Sequence, residues 1–262
     1  MMDITARRVA SKRMIAIRRK AAKEAEKLCA AGECAAALVL LRFAIYLGDL
    51  PSRALMAWLL IDGRKGVEKD RNAALKLVEE GVLLGCRDCK GLRALDRYFL
   101  DINLYFRNPN KLPIEKALEL ALKSSEEGSK YGDYVLAGFY QFGIGGLRAD
   151  SNRAAELYQQ AAVEGFDGAL VELGSMCSHG IGGPRDDAKA LRLIQLAAAQ
   201  GNPRAFYELA YLYEKGRGVA VDVTEAIRWY RRALAAGERL AVKPLQSLER
   251  ALAAGEPFVV KP

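Results

Sequence analysis

Two pairs of cysteines come nearest to a metal site by residue type and spacing. Cys86 and Cys89 form a CxxC motif, and Cys29 and Cys34 lie five residues apart. Together they could supply four thiolates, which is a common ligand set of a structural zinc ion. Free cysteine is also one of the most buried residue types, so the same side chains could pack as small apolar residues. We predict no metal site, because Cys89 occupies an alanine position of the internal repeat described below.

The single histidine and the glycine-rich stretches are the other candidates for chemistry. His179 lies two residues after Cys177, and a cysteine activated by a histidine can act as a nucleophile. Positions i and i+2 of a helix point to different sides, however, which separates this pair. The stretches 143–146 and 180–183 lack the GxxxxGK[ST] spacing of a phosphate-binding loop and do not follow a predicted strand. No catalytic or cofactor-binding residue is predicted, and the chain is expected not to be an enzyme.

Positive charge is concentrated at the N-terminal end. The net charge is +8, and residues 1–48 hold ten Lys and Arg against four Asp and Glu. Thr5–Ala30 is predicted to form one helix that can pack through Ile17, Ala21 and Ala25. Its other side carries a basic patch, which consists of Lys12, Arg13, Arg19, Lys20 and Lys23. The patch indicates contact with an acidic partner, or with RNA or DNA.

The sequence also bears on location. It has no run of eighteen apolar residues, so no membrane-spanning helix is expected. Five cysteines without a secretion signal indicate a reducing compartment inside the cell, most simply the cytoplasm. The Arg-rich, acid-poor start of the chain also resembles an organelle transit peptide, so import into an organelle stays open.

An internal repeat of about 37 residues decides the architecture. A glycine recurs, with an alanine eleven residues before it and another small residue four before it. The glycines are Gly48, Gly85, Gly128, Gly165, Gly201 and Gly237. The alanines are Ala37, Ala74, Ala117, Ala154, Ala190 and Ala226, and the other small residues are Ala44, Gly81, Ser124, Ala161, Ala197 and Ala233. Six matches in each of three columns are more than composition alone would produce.

Each repeat contains the signals of a helical pair. Its two small positions lie seven residues apart, on one face of the second helix, where they let a neighbouring helix approach closely. The closing glycine can adopt a positive φ and end that helix. An aspartate four residues before the column alanine can cap the start of the helix, at Asp70, Asp150, Asp186 and Asp222.

These signals predict an all-α fold, namely a right-handed α-α superhelix (a solenoid) of about six helical hairpins. The basic helix and first repeat span 1–48, five repeats span 49–85, 86–128, 129–165, 166–201 and 202–237, and a C-terminal cap helix and tail span 238–262. The third repeat departs from the pattern, with Arg93 and Arg97 at Leu and Tyr positions and residues 107–113 in place of the glycine-rich turn. Its first helix is expected to be longer or shifted in register.

The repeat resembles the Sel-one-like repeat (SLR) family, whose members are relatives of tetratricopeptide repeats with a longer turn between the helices. The last repeat carries the pattern at Leu209, Ala210, Tyr213, Gly216, Gly218, Val219, Asp222, Ala226, Trp229, Tyr230, Ala233 and Gly237. The resemblance is close over 129–237, good in the second half of 49–85 and partial elsewhere. It implies a superhelical scaffold that binds other proteins and has no chemistry of its own.

By analogy with tetratricopeptide arrays, the first helix of each repeat is expected to line the concave side. The predicted protein-binding residues are Tyr131, Tyr134, Gln141, Glu172, Ser175, Arg204, Tyr207, Glu208 and Tyr211. Tyrosine and arginine are enriched in interface hot spots, although tyrosines can also pack between repeats. The leading hypothesis is an intracellular adaptor without a cofactor, which binds protein partners in its groove. The alternative is a nucleoprotein- or acidic-surface-associated module that uses the basic N-terminal helix.

Overall fold

The computed structural model describes the backbone of residues 4–63, 66–104 and 113–254, and the side chains of residues 12–63, 66–95 and 113–254. This part of the chain folds into thirteen α-helices and one 3-10 helix and contains no strand. Consecutive helices pack as pairs, so the predicted all-α repeat architecture is confirmed. The chain divides into two compact units, unit 1 (Met1–Gly132) and unit 2 (Asp133–Pro262).

Unit 1 contains six helices and the start of a seventh. They are α1 (Ile4–Ala30), α2 (Cys34–Tyr46), α3 (Leu50–Asp62), α4 (Arg71–Leu83), α5 (Arg87–Leu104), α6 (Ile114–Glu126) and α7 (Lys130–Phe142). Unit 2 holds the rest of α7 and the remaining helices. These are α8 (Ser151–Val163), α9 (Asp167–His179), α10 (Asp187–Ala199), α11 (Pro203–Lys215), α12 (Val223–Ala235), a 3-10 helix (Arg239–Ala241) and α13 (Val242–Ala253).

The four predicted aspartate caps begin four second helices. The side chains of Asp70, Asp150, Asp186 and Asp222 each accept a hydrogen bond from the backbone N–H three residues later, at 2.8 to 2.9 Å. These bonds satisfy backbone donors that have no partner within the helix. Two first helices are capped in the same way by residues that the repeat columns did not single out, α3 by Asp49 and α11 by Asn202.

The small columns lie where helices approach closely. All six column alanines are buried, and so are the small residues seven positions later. At Gly174 in α9, an added Cβ would come within 2.6 Å of the Ile194 side chain and 3.4 Å of the Ala190 carbonyl oxygen in α10. The contact between the two helices therefore leaves no room for a larger side chain at this level.

The basic helix α1 extends well beyond its neighbour. It has 27 residues and α2 has 13, so α2 can cover only the second half of α1. Ala21 and Ala25 are buried as expected, whereas Ile17 is 46% exposed. The prediction that Ile17 packs is therefore wrong, because α2 ends before it reaches that level. At the edge of the contact, the Arg18 guanidinium donates to the Gly48 carbonyl oxygen at 3.2 Å.

The third repeat and the C-terminal end follow the expected exceptions. Helix α5 is 18 residues long, compared with 13 for the first helices α3, α9 and α11. The side chain of Arg97 and most of the stretch 107–113 lie outside the described residues. Helix α13 packs against α12 and buries Leu245 and Leu248, as a terminal cap requires.

Candidate functional site

Helices α9 and α11 lie side by side in unit 2 and expose a common surface. We call this surface the first-helix face and define it by Glu172, Ser175, Arg204, Tyr207, Glu208 and Tyr211. All six side chains are half-buried. A half-buried residue keeps part of its surface available while its base is held by packing, which favours a preorganised binding surface.

A buried polar contact fixes the starts of these two helices relative to each other. The Asn202 side-chain oxygen accepts hydrogen bonds from the backbone N–H groups of Arg204 and Ala205 at 2.9 and 3.1 Å. Its side-chain nitrogen donates to the Asp167 carboxylate at 2.8 Å. Asn202 therefore caps α11 and also joins it to α9, so the register between the two helices is set beneath the face.

Arg204 is at the centre of the charges on this face. Its guanidinium donates to Glu172 at 3.0 Å and lies 3.9 Å from the Glu208 carboxylate. Burial acts to lower the pKa of Arg204, but Glu172 and the other nearby acidic groups outweigh it and the pKa is raised. Burial also raises the pKa of Glu208, even though Arg204 acts in the opposite direction. The charged form of Glu208 is therefore only partly stabilised by its neighbours.

Tyrosines surround this ion-pair network. The Tyr207 ring packs against the Tyr230 ring with 5.7 Å between centroids, and burial raises the pKa of Tyr207. Tyr230 donates to Glu214 at 2.8 Å. The Arg217 guanidinium lies over the Tyr211 ring, 5.4 Å from its centroid, in a cation–π contact.

Three of these contributors were missed by the sequence analysis. Glu214 occupies the same repeat column as Gln141, so the column could have revealed it. Arg217 lies in the turn after α11, where its guanidinium donates to the Ser178 hydroxyl at 3.0 Å. Tyr230 belongs to the second helix α12 and reaches the face through its hydroxyl group and through its ring contact with Tyr207. The repeat pattern includes Tyr230 but does not mark it as part of an exposed surface, and no spacing signal identifies Arg217.

Tyr131 and Tyr134 do not lie on an exposed surface. They are 2% and 3% exposed, which corrects the prediction that both line an open groove. In unit 1, Tyr131 lies beside Trp58 with 6.3 Å between ring centroids. In unit 2, Tyr134 packs edge-on against Phe166 at 4.8 Å. Gln141 is half-buried and accepts a hydrogen bond from the Tyr158 hydroxyl at 3.0 Å.

The remaining predicted sites are placed as follows. All five residues of the basic patch are exposed along α1. Within the described residues, no group of three or more His, Cys, Asp or Glu side chains is arranged to hold a metal ion. Nor is any helix in that part of the chain long and apolar enough to cross a membrane. His179 bonds through Nδ1 to the Ser175 carbonyl oxygen at 2.8 Å, which is a contact within its own helix.

The raised pKa of Glu208 leads to a prediction about pH. The folded state binds the proton of the Glu208 carboxyl group more tightly than the unfolded state does. This proton binding stabilises the fold below the ordinary glutamate pKa, and the stabilisation is lost as pH rises through the raised pKa. Because glutamine does not titrate, the variant Glu208→Gln does not lose this stabilisation as pH rises. We expect its stability relative to the wild type to increase between about pH 4 and pH 7. Urea unfolding midpoints at both pH values measure the effect, with exposed Glu164→Gln as the control. Equal changes in both variants would contradict the assignment.

Comparison with known proteins places this geometry in a family. The Sel1 repeat model matches residues 51–86, 131–165, 168–202 and 203–238, which together make up more than half of the chain. Sel1 repeats form a non-catalytic scaffold fold that generally serves protein interactions. The unmatched segments include most of the third repeat, where the sequence departs from the pattern.

Solved structures share the fold. A Sel1 repeat protein from Oxalobacter formigenes is 20% identical, with a TM-score of 0.58, and the match covers 92% of each chain. The protective antigen c5321 of uropathogenic Escherichia coli, which has an SLR fold, is 23% identical with a TM-score of 0.51. That match covers 86% of this chain and 46% of the antigen. Together with the four matched repeats, the helical pairs and the small columns show that this chain belongs to the Sel1 repeat family.

Proposed function

We propose that this chain is a non-enzymatic scaffold that binds one or more protein partners through the first-helix face of unit 2. The observation that carries the proposal is the Glu172–Arg204–Glu208 network, which joins two neighbouring first helices and is flanked by the half-buried rings of Tyr207 and Tyr211. Tyrosine and arginine anchors of this kind supply much of the binding energy of protein interfaces. The reducing interior of the cell is the location that suits its five cysteines.

The charge of the face favours a partner segment with basic side chains. Within the face, Glu172 and Glu208 contribute two carboxylates against the single cation Arg204. The neighbouring Glu214 is already paired with Lys215 at 2.6 Å. A Lys or Arg of the partner could bind Glu208, whose carboxylate is 3.9 Å from Arg204. Pairing with a cation would offset the desolvation of that carboxylate. The tyrosine rings beside it offer apolar contact and cation–π stacking.

A peptide library tests this proposal with defined ligands. The full chain is immobilised, a random peptide library is selected against it, and enriched peptides are synthesised for affinity measurement. We expect enrichment in Lys or Arg next to apolar residues, and weaker binding to the Glu208→Gln variant, which lacks the carboxylate that pairs with the peptide cation, than to the wild type. A variant at an exposed position of a second helix, Gln195→Glu in α10, should bind as the wild type does. Peptides that bind the wild type and both variants equally would refute the proposed face.

The exposed basic patch on α1 favours the second candidate function, which is binding to nucleic acid or another acidic surface. A single-stranded DNA of about 20 nucleotides is the probe, and affinity is measured from low to moderate salt. If the patch binds phosphates, the double variant Arg19→Glu/Lys23→Glu should lower the affinity and reduce the steepness of its salt dependence. A matched double variant on another exposed surface, Arg192→Glu/Arg228→Glu, controls for net charge. Equal effects of the two double variants would rule out a specific role for α1.

A further inference from the structure

The CxxC motif places two thiols together at the start of α5. Cys86 directly precedes the helix and Cys89 lies in its first turn, so the two side chains share a face one turn apart. The two side chains lie beside the same glycine, because a Cβ added at Gly81 in α4 would come within 2.2 Å of the Cys89 sulfur and 3.6 Å of the Cys86 Cβ. The Cys86 thiol also donates to the Leu50 carbonyl oxygen at 3.4 Å. Sequence alone explained Cys89 as a small packing residue, but that interpretation does not account for a second cysteine beside the same glycine.

The two cysteines have unequal surroundings. The Cys89 side chain lowers the pKa of Cys86, and backbone N–H groups of Cys89 and Asp88 act in the same direction, although burial and the Asp88 charge oppose them. The Cys86 side chain and burial raise the pKa of Cys89. A lower-pKa thiol beside a higher-pKa one is the arrangement of an attacking and a resolving cysteine.

The neighbouring repeat column has an exception at this site. Gly81 in α4 is the one glycine in the column that elsewhere holds Ala or Ser. An added Cβ at Gly81 would lie 2.2 Å from the Cys89 sulfur. The missing side chain therefore provides the space that the Cys89 thiol occupies. Gly81 and Cys89 thus both depart from their repeat columns, and they do so where they meet. This packing observation does not depend on the pKa values of the cysteines.

We propose that Cys86 and Cys89 are a redox-active dithiol that a small peroxide oxidises to an intramolecular disulfide. The Cys86 thiolate attacks one oxygen of hydrogen peroxide, the O–O bond breaks, and the departing hydroxide takes up the thiol proton as water. The Cys89 sulfur then attacks the Cys86 sulfenic acid, loses its own proton and displaces a second water. Two thiols thus supply the two electrons that reduce one peroxide to two waters.

Access to the pair comes from the start of the helix. Cys86 and Cys89 are 4% and 0% exposed, but the flanking residues Gly85 and Arg87 are exposed. Opening of the first turn of α5 would uncover Cys86 before Cys89, since helix ends open more readily than packed helix interiors. Small, uncharged hydrogen peroxide suits this site better than a bulky oxidant.

Intact-mass and peptide-mapping measurements on the full chain test the proposal. After reduction and then treatment with hydrogen peroxide, we expect a loss of about 2 Da and a peptide linked through Cys86 and Cys89. The Cys89→Ala variant, which restores the alanine found at Ala169 and Ala205, should accumulate a Cys86 sulfenic acid that dimedone labels. In Cys86→Ser, dimedone labelling of Cys89 should be at least about tenfold lower.

Controls separate this pair from general thiol oxidation. Cys177→Ser should form the Cys86–Cys89 link at the wild-type rate, and far-UV circular dichroism confirms that each variant is folded. If either single variant fails to fold, the wild-type linkage map alone decides the question. Unreacted Cys86 and Cys89 in the peroxide-treated wild type, or oxidation confined to the other three cysteines, would overturn the proposal.

Discussion

Replacing Ala190 with leucine is expected to lower the free energy of unfolding by about 1–3 kcal/mol. Ala190 is 0% exposed, and its backbone lies close to Gly174 in the facing helix. The larger side chain would have to push α9 and α10 apart or adopt a strained rotamer. Urea unfolding followed by circular dichroism gives the difference in midpoint.

Ala188→Leu is the matched control for this prediction. Ala188 lies in the same helix two residues earlier and is exposed. Alanine and leucine are both strong helix formers, so the control should change the stability by no more than about 0.5 kcal/mol. An unchanged midpoint for Ala190→Leu would mean that the small columns do not mark close helix contacts.

The second large effect concerns partner binding. Replacing Tyr211 with serine is expected to weaken the binding of a library-selected peptide by roughly 10- to 30-fold, which corresponds to the loss of about 1.4–2 kcal/mol at a hot spot. Serine is the natural residue at the equivalent position of α9, Ser175, so the backbone at this position should tolerate it. Isothermal titration calorimetry measures the affinity.

The control for the tyrosine variant is Gln195→Ser on the exposed side of α10. It should bind the peptide with wild-type affinity. Unfolding midpoints of both variants show whether the fold is retained. Wild-type affinity for Tyr211→Ser, in a folded protein, would remove Tyr211 from the proposed interface.

The features that sequence predicted well are local or strictly periodic. Asp70, Asp150, Asp186 and Asp222 act on N–H groups three residues away, so a fixed offset was enough to recognise them as caps. The small columns repeat with the helical pairs and face the same kind of neighbour each time. Both signals could be recognised without knowledge of the surrounding structure.

The candidate site was harder to predict because exposure depends on elements distant in sequence. Tyr134 occupies the same repeat column as Tyr207, yet Tyr134 is buried and Tyr207 is half-buried. The valine in this column, Val171, is buried and indicated a core position. We overlooked that signal because tyrosine is enriched in interfaces. Similarly, the contact of Arg204 with Glu172 joins residues 32 positions apart. Sequence identified both residues but gave no sign that they form a pair.

Amide hydrogen exchange with and without a selected peptide tests the central claim most directly. The full chain is compared at saturating peptide, and each helix is followed through its peptic fragments. The proposed function predicts slower exchange in α9 and α11, with little change in α10 and α12. Slower exchange confined to α1, α10 or α12 would contradict binding at the first-helix face.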